Sequence, residues 1–154
     1  MALIVHPSAG AESYVSLADA GTYHVRFGNT SWALASEANR EIALRRATQY
    51  IDASYHFRSY ATDEEQPLEW PRYDYGDDLP QRLKDAVCEA ALIFLTDNLN
   101  APIEATGAVI SEKVGPIEVK YSEPAVLRTR YPILDRLLAP LVYIRFGVTP
   151  LVRN

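Results

Sequence analysis

The sequence predicts a mainly α-helical protein: a three- to four-helix bundle with a projecting β-hairpin, an extended N-terminal arm and a C-terminal tail. Three observations predict it. Helix-start residues Ser16, Ser36 and Pro80 each open a segment with helical character. From residue 117 the period drops to two, with Ile117, Val119 and Tyr121 set against Glu118 and Lys120, as in a half-buried strand. Finally, Pro7 and Gly10 near one end, and Gly147 and Pro150 near the other, break any regular element.

Taken in order, residues 1–15 show no helical period and read as a free arm. Ser16 is an N-cap with Asp19 in the capping-box position, and its helix stops at Gly28-Asn29, where Trp32 and Leu34 plug the turn. The second helix runs from about Ser36 to Tyr55, with Ile42, Ala43, Ala47, Tyr50, Ile51 and Ser54 as its apolar stripe. Residues 56–79 form a loop long enough to suggest a function or a partner. Pro80 takes the first position of a third helix, from Gln81 to about Asn98. Its apolar residues cover most of the circumference, which makes it the central helix. A hairpin over 108–122 turns at Gly115-Pro116, and a last helix over 131–141 ends or kinks at Pro140. The tail, 142–154, is apolar but fits no regular element, so it favours a neighbouring molecule as its cover.

These parts make one domain over residues 1–154, with a helical core at 16–99. A chain of 154 residues buries roughly 68–70% of its unfolded surface, enough for a core without metals or disulfides. The single cysteine, Cys88, has no partner for a disulfide. The N-terminus lacks the basic and apolar regions of a signal peptide, and no apolar run reaches the ~18 residues of a membrane span. A soluble protein made in the cytoplasm, with no membrane contact, is expected.

The chemistry search returns little. No glycine loop cradles a phosphate, and His6, His24 and His56 lie too far apart in sequence for zinc-ligand spacing. Cys88 sits on an apolar helix and reads as core. The acidic runs Asp63-Glu64-Glu65 and Asp74 to Asp78 read as solvated loop. No catalytic residue, metal or cofactor is expected, and the protein is not expected to be an enzyme. Ten tyrosines point to contact surface instead. Leu68-Glu69-Trp70-Pro71-Arg72-Tyr73 admits three readings: packing on the bundle, a partner hot spot at Trp70 and Arg72, or stacking on single-stranded bases. A net charge of −5 speaks against a phosphate-binding surface.

Several strings resemble a family of small tailed-bacteriophage proteins encoded among head and neck components. They are Ser13-Tyr14-Val15-Ser16-Leu17-Ala18-Asp19-Ala20, Gly28-Asn29-Thr30-Ser31-Trp32, Leu68-Glu69-Trp70-Pro71-Arg72, the stretch from Ser111 to Val119, and the stretch from Tyr131 to Leu138. Some members of that family carry the label DnaT-like single-stranded-DNA-binding protein. The resemblance implies a head–tail adaptor, or connector, in the virion neck, assembled in the host cytoplasm. Its partners would be itself in a ring of about twelve copies, the portal protein, and a downstream tail or neck protein. DNA would pass through the lumen without specific binding. Such a ring would carry roughly −60, a wall that repels DNA, so charge favours the adaptor over the alternative, a single-stranded-DNA-binding protein. The expected partner-binding residues are Trp70 and Arg72 in the loop, Ile110, Lys113, Val114, Ile117, Val119 and Tyr121 in the hairpin, and Tyr143, Ile144, Phe146, Val148, Leu151 and Val152 in the tail.

Overall fold

The structure is a computed structural model that describes residues 2–97, the backbone of 111–114 and 117–120, and residues 131–143. It is mainly helical. Among the described residues there are five α-helices: α1 (Leu17–Arg26), α2 (Thr30–Leu34), α3 (Glu37–Ser54), α4 (Gln81–Thr96) and α5 (Pro132–Leu138). The long helices start where their caps dictate. The Ser16 hydroxyl accepts from the Asp19 N–H, and the Ser36 hydroxyl from the Asn39 N–H, each satisfying a donor the helix leaves open. Pro80 is the residue before α4 rather than its first residue. Pro132 does open α5, where its missing N–H costs nothing.

The central helix is α4, as its all-round apolar pattern predicts. It buries Leu83, Ala86, Val87, Cys88, Ala90 and Ala91, and it packs against α3, α5 and the α1–α2 corner. The alanines on α4 face an α3 that is itself lined by Ala43 and Ala47, which lets the two axes approach closely. The buried stripe of α3 is Ala43, Leu44, Ala47, Thr48 and Ile51. It lies beside the predicted one: Ile42 is exposed, and Leu44 and Thr48 take the inward positions. The second plug of the α1–α2 turn also differs from expectation. Trp32 is buried, with its ring 4.3 Å from that of His24, but Leu34 points to solvent at 86% exposure.

The N-terminal arm is not free. Val5 and Ser13 form a parallel bridge, and Ala11, Ser13, Tyr14 and Val15 are buried. Polar staples hold the arm on α3: Arg45 Nε donates to the Glu12 carboxylate at 2.7 Å, and the Tyr14 hydroxyl to Asp52 at 2.6 Å. The missing helical period of residues 1–15 reports irregular backbone, and burial of Tyr14 and Val15 still gives that backbone a fixed place.

The projecting hairpin is not supported. Ser111–Val114 (β1) and Ile117–Lys120 (β2) stand in antiparallel register, with Val114 opposite Ile117 and Ser111 opposite Lys120. This is a bare ladder of two strands. Among the described residues no other strand extends it, and nothing shows it projecting. The predicted turn at Gly115-Pro116 lies outside the described residues, as do Ile110 and Tyr121.

The tail begins against its own chain. Phe57 and Val142 form an antiparallel bridge, the Arg58 N–H donates to the Leu141 carbonyl at 2.9 Å, and the Tyr143 N–H donates to the His56 carbonyl at 2.9 Å. Leu141 is buried. The tail's first residues therefore find their cover in the loop at 56–61, because two extended segments satisfy each other's backbone groups there. Residues 144–154 lie outside the described part.

Candidate functional site

The loop at 56–79 is built around one aromatic and one arginine. Trp70 is fully buried, and its ring meets Phe57 at 5.4 Å and Tyr75 at 4.8 Å, both edge-on. Such contacts add to the area the indole buries. Arg72 is buried and spends its guanidinium on the backbone. Its Nε donates to the Arg58 carbonyl at 2.9 Å, Nη2 to the Ser59 carbonyl at 2.9 Å, and Nη1 to the Glu69 carbonyl at 2.7 Å and the Glu69 carboxylate at 2.8 Å. A planar fork with five donors suits this task, which an ammonium cannot do. Trp70 and Arg72 are thus the loop's internal frame. Both are buried in this structure, as the packing reading of the string expects.

What the frame presents outward is a ridge of tyrosines. Ala61 and Arg72 are bridge partners, which sets Tyr60 opposite Tyr73, and the Tyr73 N–H donates to the Tyr60 carbonyl at 3.1 Å. Tyr60 is 81% exposed and Tyr73 is 68% exposed. On the other edge of the same segment, Tyr143 stands opposite His56 at 62% exposure. The same segment carries Arg58, exposed, with its Nε donating to the Val142 carbonyl at 2.9 Å. Ser59 adopts a left-handed φ of +67°, unusual for a non-glycine residue. It holds that strain between Arg72, which takes its carbonyl, and Asp74, whose N–H donates to its hydroxyl at 3.3 Å. Three exposed tyrosines and an exposed arginine thus lie on the paired backbone segments that Trp70 and Arg72 hold in place.

Behind the ridge, Asp52 links the arm, α3 and the loop. It accepts from the Tyr14 hydroxyl and from the Glu69 N–H at 3.3 Å, while Tyr14 accepts from the Trp70 N–H at 3.3 Å. Burial pushes the Asp52 carboxyl up to about 6, against the pull of those hydrogen bonds, and pushes the Tyr14 phenol well above its ordinary range.

A second concavity, ≈ 350 Å³, lies between α1 and α4. It sets Tyr23, Phe27, Arg26 and Lys84 beside Asp19 and Asp85, so its charges largely offset one another. Cys88 lies at its base, and burial raises the thiol to about 12, which leaves it inert as a nucleophile at neutral pH. Among the described residues, no group of three His, Cys, Asp or Glu side chains is placed to hold a metal ion.

Of the remaining predicted contact residues, Lys113, Val114, Ile117 and Val119 lie in the strand pair, and Ile144, Phe146, Val148, Leu151 and Val152 lie outside the described residues. Tyr143 alone joins the ridge. Tyr60 and Tyr73 escape the sequence reading, since nothing in a tyrosine-rich loop says which rings turn outward.

A family model described as "Putative DnaT-like ssDNA binding protein" matches residues 1–154, and the chain belongs to that family. No curated protein and no solved structure matches it. The match overturns the head–tail adaptor reading, since the family description names single-stranded DNA and gives no support to a connector. The charge argument fails because it treats −5 as evenly spread. Residues 1–100 carry fifteen acidic and eight basic side chains, but residues 101–154 carry five acidic and seven basic.

Proposed function

We propose, starting from that membership, that the protein binds single-stranded DNA, with unpaired bases stacking on Tyr60, Tyr73 and Tyr143 around Arg58. The observation that carries the reading is the family match over the whole chain. The tyrosine ridge supplies the physical means. Every base has a π-face, so stacking on aromatics tolerates any sequence, and each stacked base contributes ~1–3 kcal/mol. A duplex offers no such faces along its length, so the ridge discriminates against it. Phosphate neutralisation plays the smaller part, because the loop is acidic and Arg58 is the ridge's one exposed arginine. The basic C-terminal third adds the longer-range attraction.

The test is fluorescence anisotropy of a labelled oligo(dT), read across a salt series, with a duplex of equal length as control. Single-strand binding is expected at low salt, with a shallow slope of about −0.7 to −1.4 in log K against log salt, the release from one or two phosphates. Changing Tyr60 and Tyr73 together to alanine should weaken it by at least tenfold, while the fold, read by circular dichroism, stays intact. A folded protein that leaves the single strand's anisotropy unchanged at low salt, or that holds the duplex equally well, refutes the proposal.

A further inference from the structure

The N-terminal arm and the loop at 56–79 meet at a buried junction over α3. The Tyr14 hydroxyl serves both sides of it, donating to Asp52 at 2.6 Å and accepting from the Trp70 N–H at 3.3 Å. The second Asp52 oxygen accepts from the Glu69 N–H, also at 3.3 Å. Tyr14 and Trp70 are buried, so water cannot take the place of a lost partner without an opening.

On the loop side, the junction leads to the exposed tyrosines. Trp70 is two residues from Arg72, whose guanidinium holds the Arg58 and Ser59 carbonyls just before Tyr60. Two further bonds close the loop on itself. The Thr62 N–H donates to the Pro71 carbonyl at 3.2 Å, and the Tyr73 N–H to the Tyr60 carbonyl at 3.1 Å. The arm is likewise folded on itself, with the His6 N–H on the Ser13 carbonyl and the Glu12 and Ser13 N–H groups on that of Ile4. Away from the junction it is tied to α3 by the Glu12–Arg45 ion pair and by the Leu3 N–H on Glu41, both only partly buried. An ion pair so placed holds weakly and is screened by salt. A self-contained unit on weak outer ties can lift as a body, and Tyr14 is where that lifting reaches the loop.

We infer that the N-terminal arm is a strap across the loop: Tyr14 fastens the segment that carries Tyr60 and Tyr73 to α3, and arm and loop open together. A partner that draws the arm away would thereby loosen that tyrosine surface, which makes the arm a control point for whatever the surface binds.

Amide hydrogen exchange, followed residue by residue by NMR on the full chain, tests this. The reporters are the Thr62 and Tyr73 amides, whose partners lie within the loop and are neither Tyr14 nor Asp52. In the parent both should exchange faster than the Val87 and Ala90 amides of α4, because arm and loop open without the bundle. Tyr14→Phe keeps the buried ring and deletes only the hydroxyl. It should speed both reporters by at least about tenfold, the effect of stranding the Trp70 N–H. Glu12→Arg alters neither the loop nor the junction and sets like charge against Arg45; it should speed the same two amides by about threefold or more. Should Tyr14→Phe fail to fold, Glu12→Arg alone decides. Reporters that keep the parent's rates in either folded variant overturn the inference, and so do reporters as slow as α4 in the parent. None of these readouts involves DNA, so the outcome is independent of the stacking proposal.

Discussion

Replacing Asp52 with asparagine should make the protein lose more stability on acidification than the parent does. Two buried groups act in opposite directions. Burial raises the Asp52 carboxyl from 3.8 to about 6 and lowers the His24 imidazole from 6.5 to about 4. The folded protein holds the Asp52 proton more tightly than the unfolded chain does. Its contribution is therefore complete below pH ~4 and is lost as pH rises through ~6. His24 behaves in the opposite sense. Its contribution is complete above pH ~6.5 and is lost as pH falls toward ~4. At 1.36 kcal/mol per unit, each is worth about 2 kcal/mol between pH 7 and pH 4.5, with opposite signs. In the parent these two offset each other. Asp52→Asn removes one of them, so the variant should lose about 2 kcal/mol more than the parent on acidification to pH 4.5. His24→Phe keeps an aromatic ring against Trp32 and removes the other, so it should lose about 2 kcal/mol less than the parent over the same interval. Urea unfolding at the two pH values reads both differences, and variants whose stability changes with pH just as the parent's does refute the reasoning.

Trp70→Ala should cost about 3–5 kcal/mol in the same unfolding assay, because it empties a core site between Phe57 and Tyr75. Arg72→Lys should cost about 2–4 kcal/mol by leaving the carbonyls of Arg58 and Ser59 without the fork that holds them. Tyr60→Ala, by contrast, should shift stability by no more than about 0.5 kcal/mol, since its ring faces solvent. Cys88 should react with a thiol reagent only as fast as the protein opens, so its labelling rate should rise with urea; rapid labelling of the folded protein would show the thiol to be accessible.

The helices were legible because their signals are local. Ser16 and Ser36 cap as a hydroxyl three residues before an open N–H must, and the apolar surround of α4 permits only a central place. The arm and the tail were not legible, because what fixes them is distant in sequence. Tyr14 finds Asp52 across 38 residues, and Arg58 finds Val142 across 84. Periodicity carries no trace of such partners. The loop shows the same limit within itself. Trp-Pro-Arg has the composition of a contact hot spot, yet Trp70 and Arg72 are also the two side chains best suited to organising irregular backbone. Burial gave them the second task and left contact to the plainer tyrosines beside them.

On the stacking proposal, that division of labour would let an acidic bundle serve a polyanion. If phosphate contacts led, the exposed carboxylates of the same loop would oppose binding. Stacking is indifferent to that field, because it is made by neutral rings and gains from the exclusion of water. On the stacking proposal the acidic loop would act as a filter. It would repel a duplex, which brings two lines of phosphate and no free base, and tolerate a single strand whose bases can reach the tyrosines ahead of its phosphates. Specificity for the unpaired state would then follow from the same charge that argues, on a whole-chain count, against any nucleic acid at all.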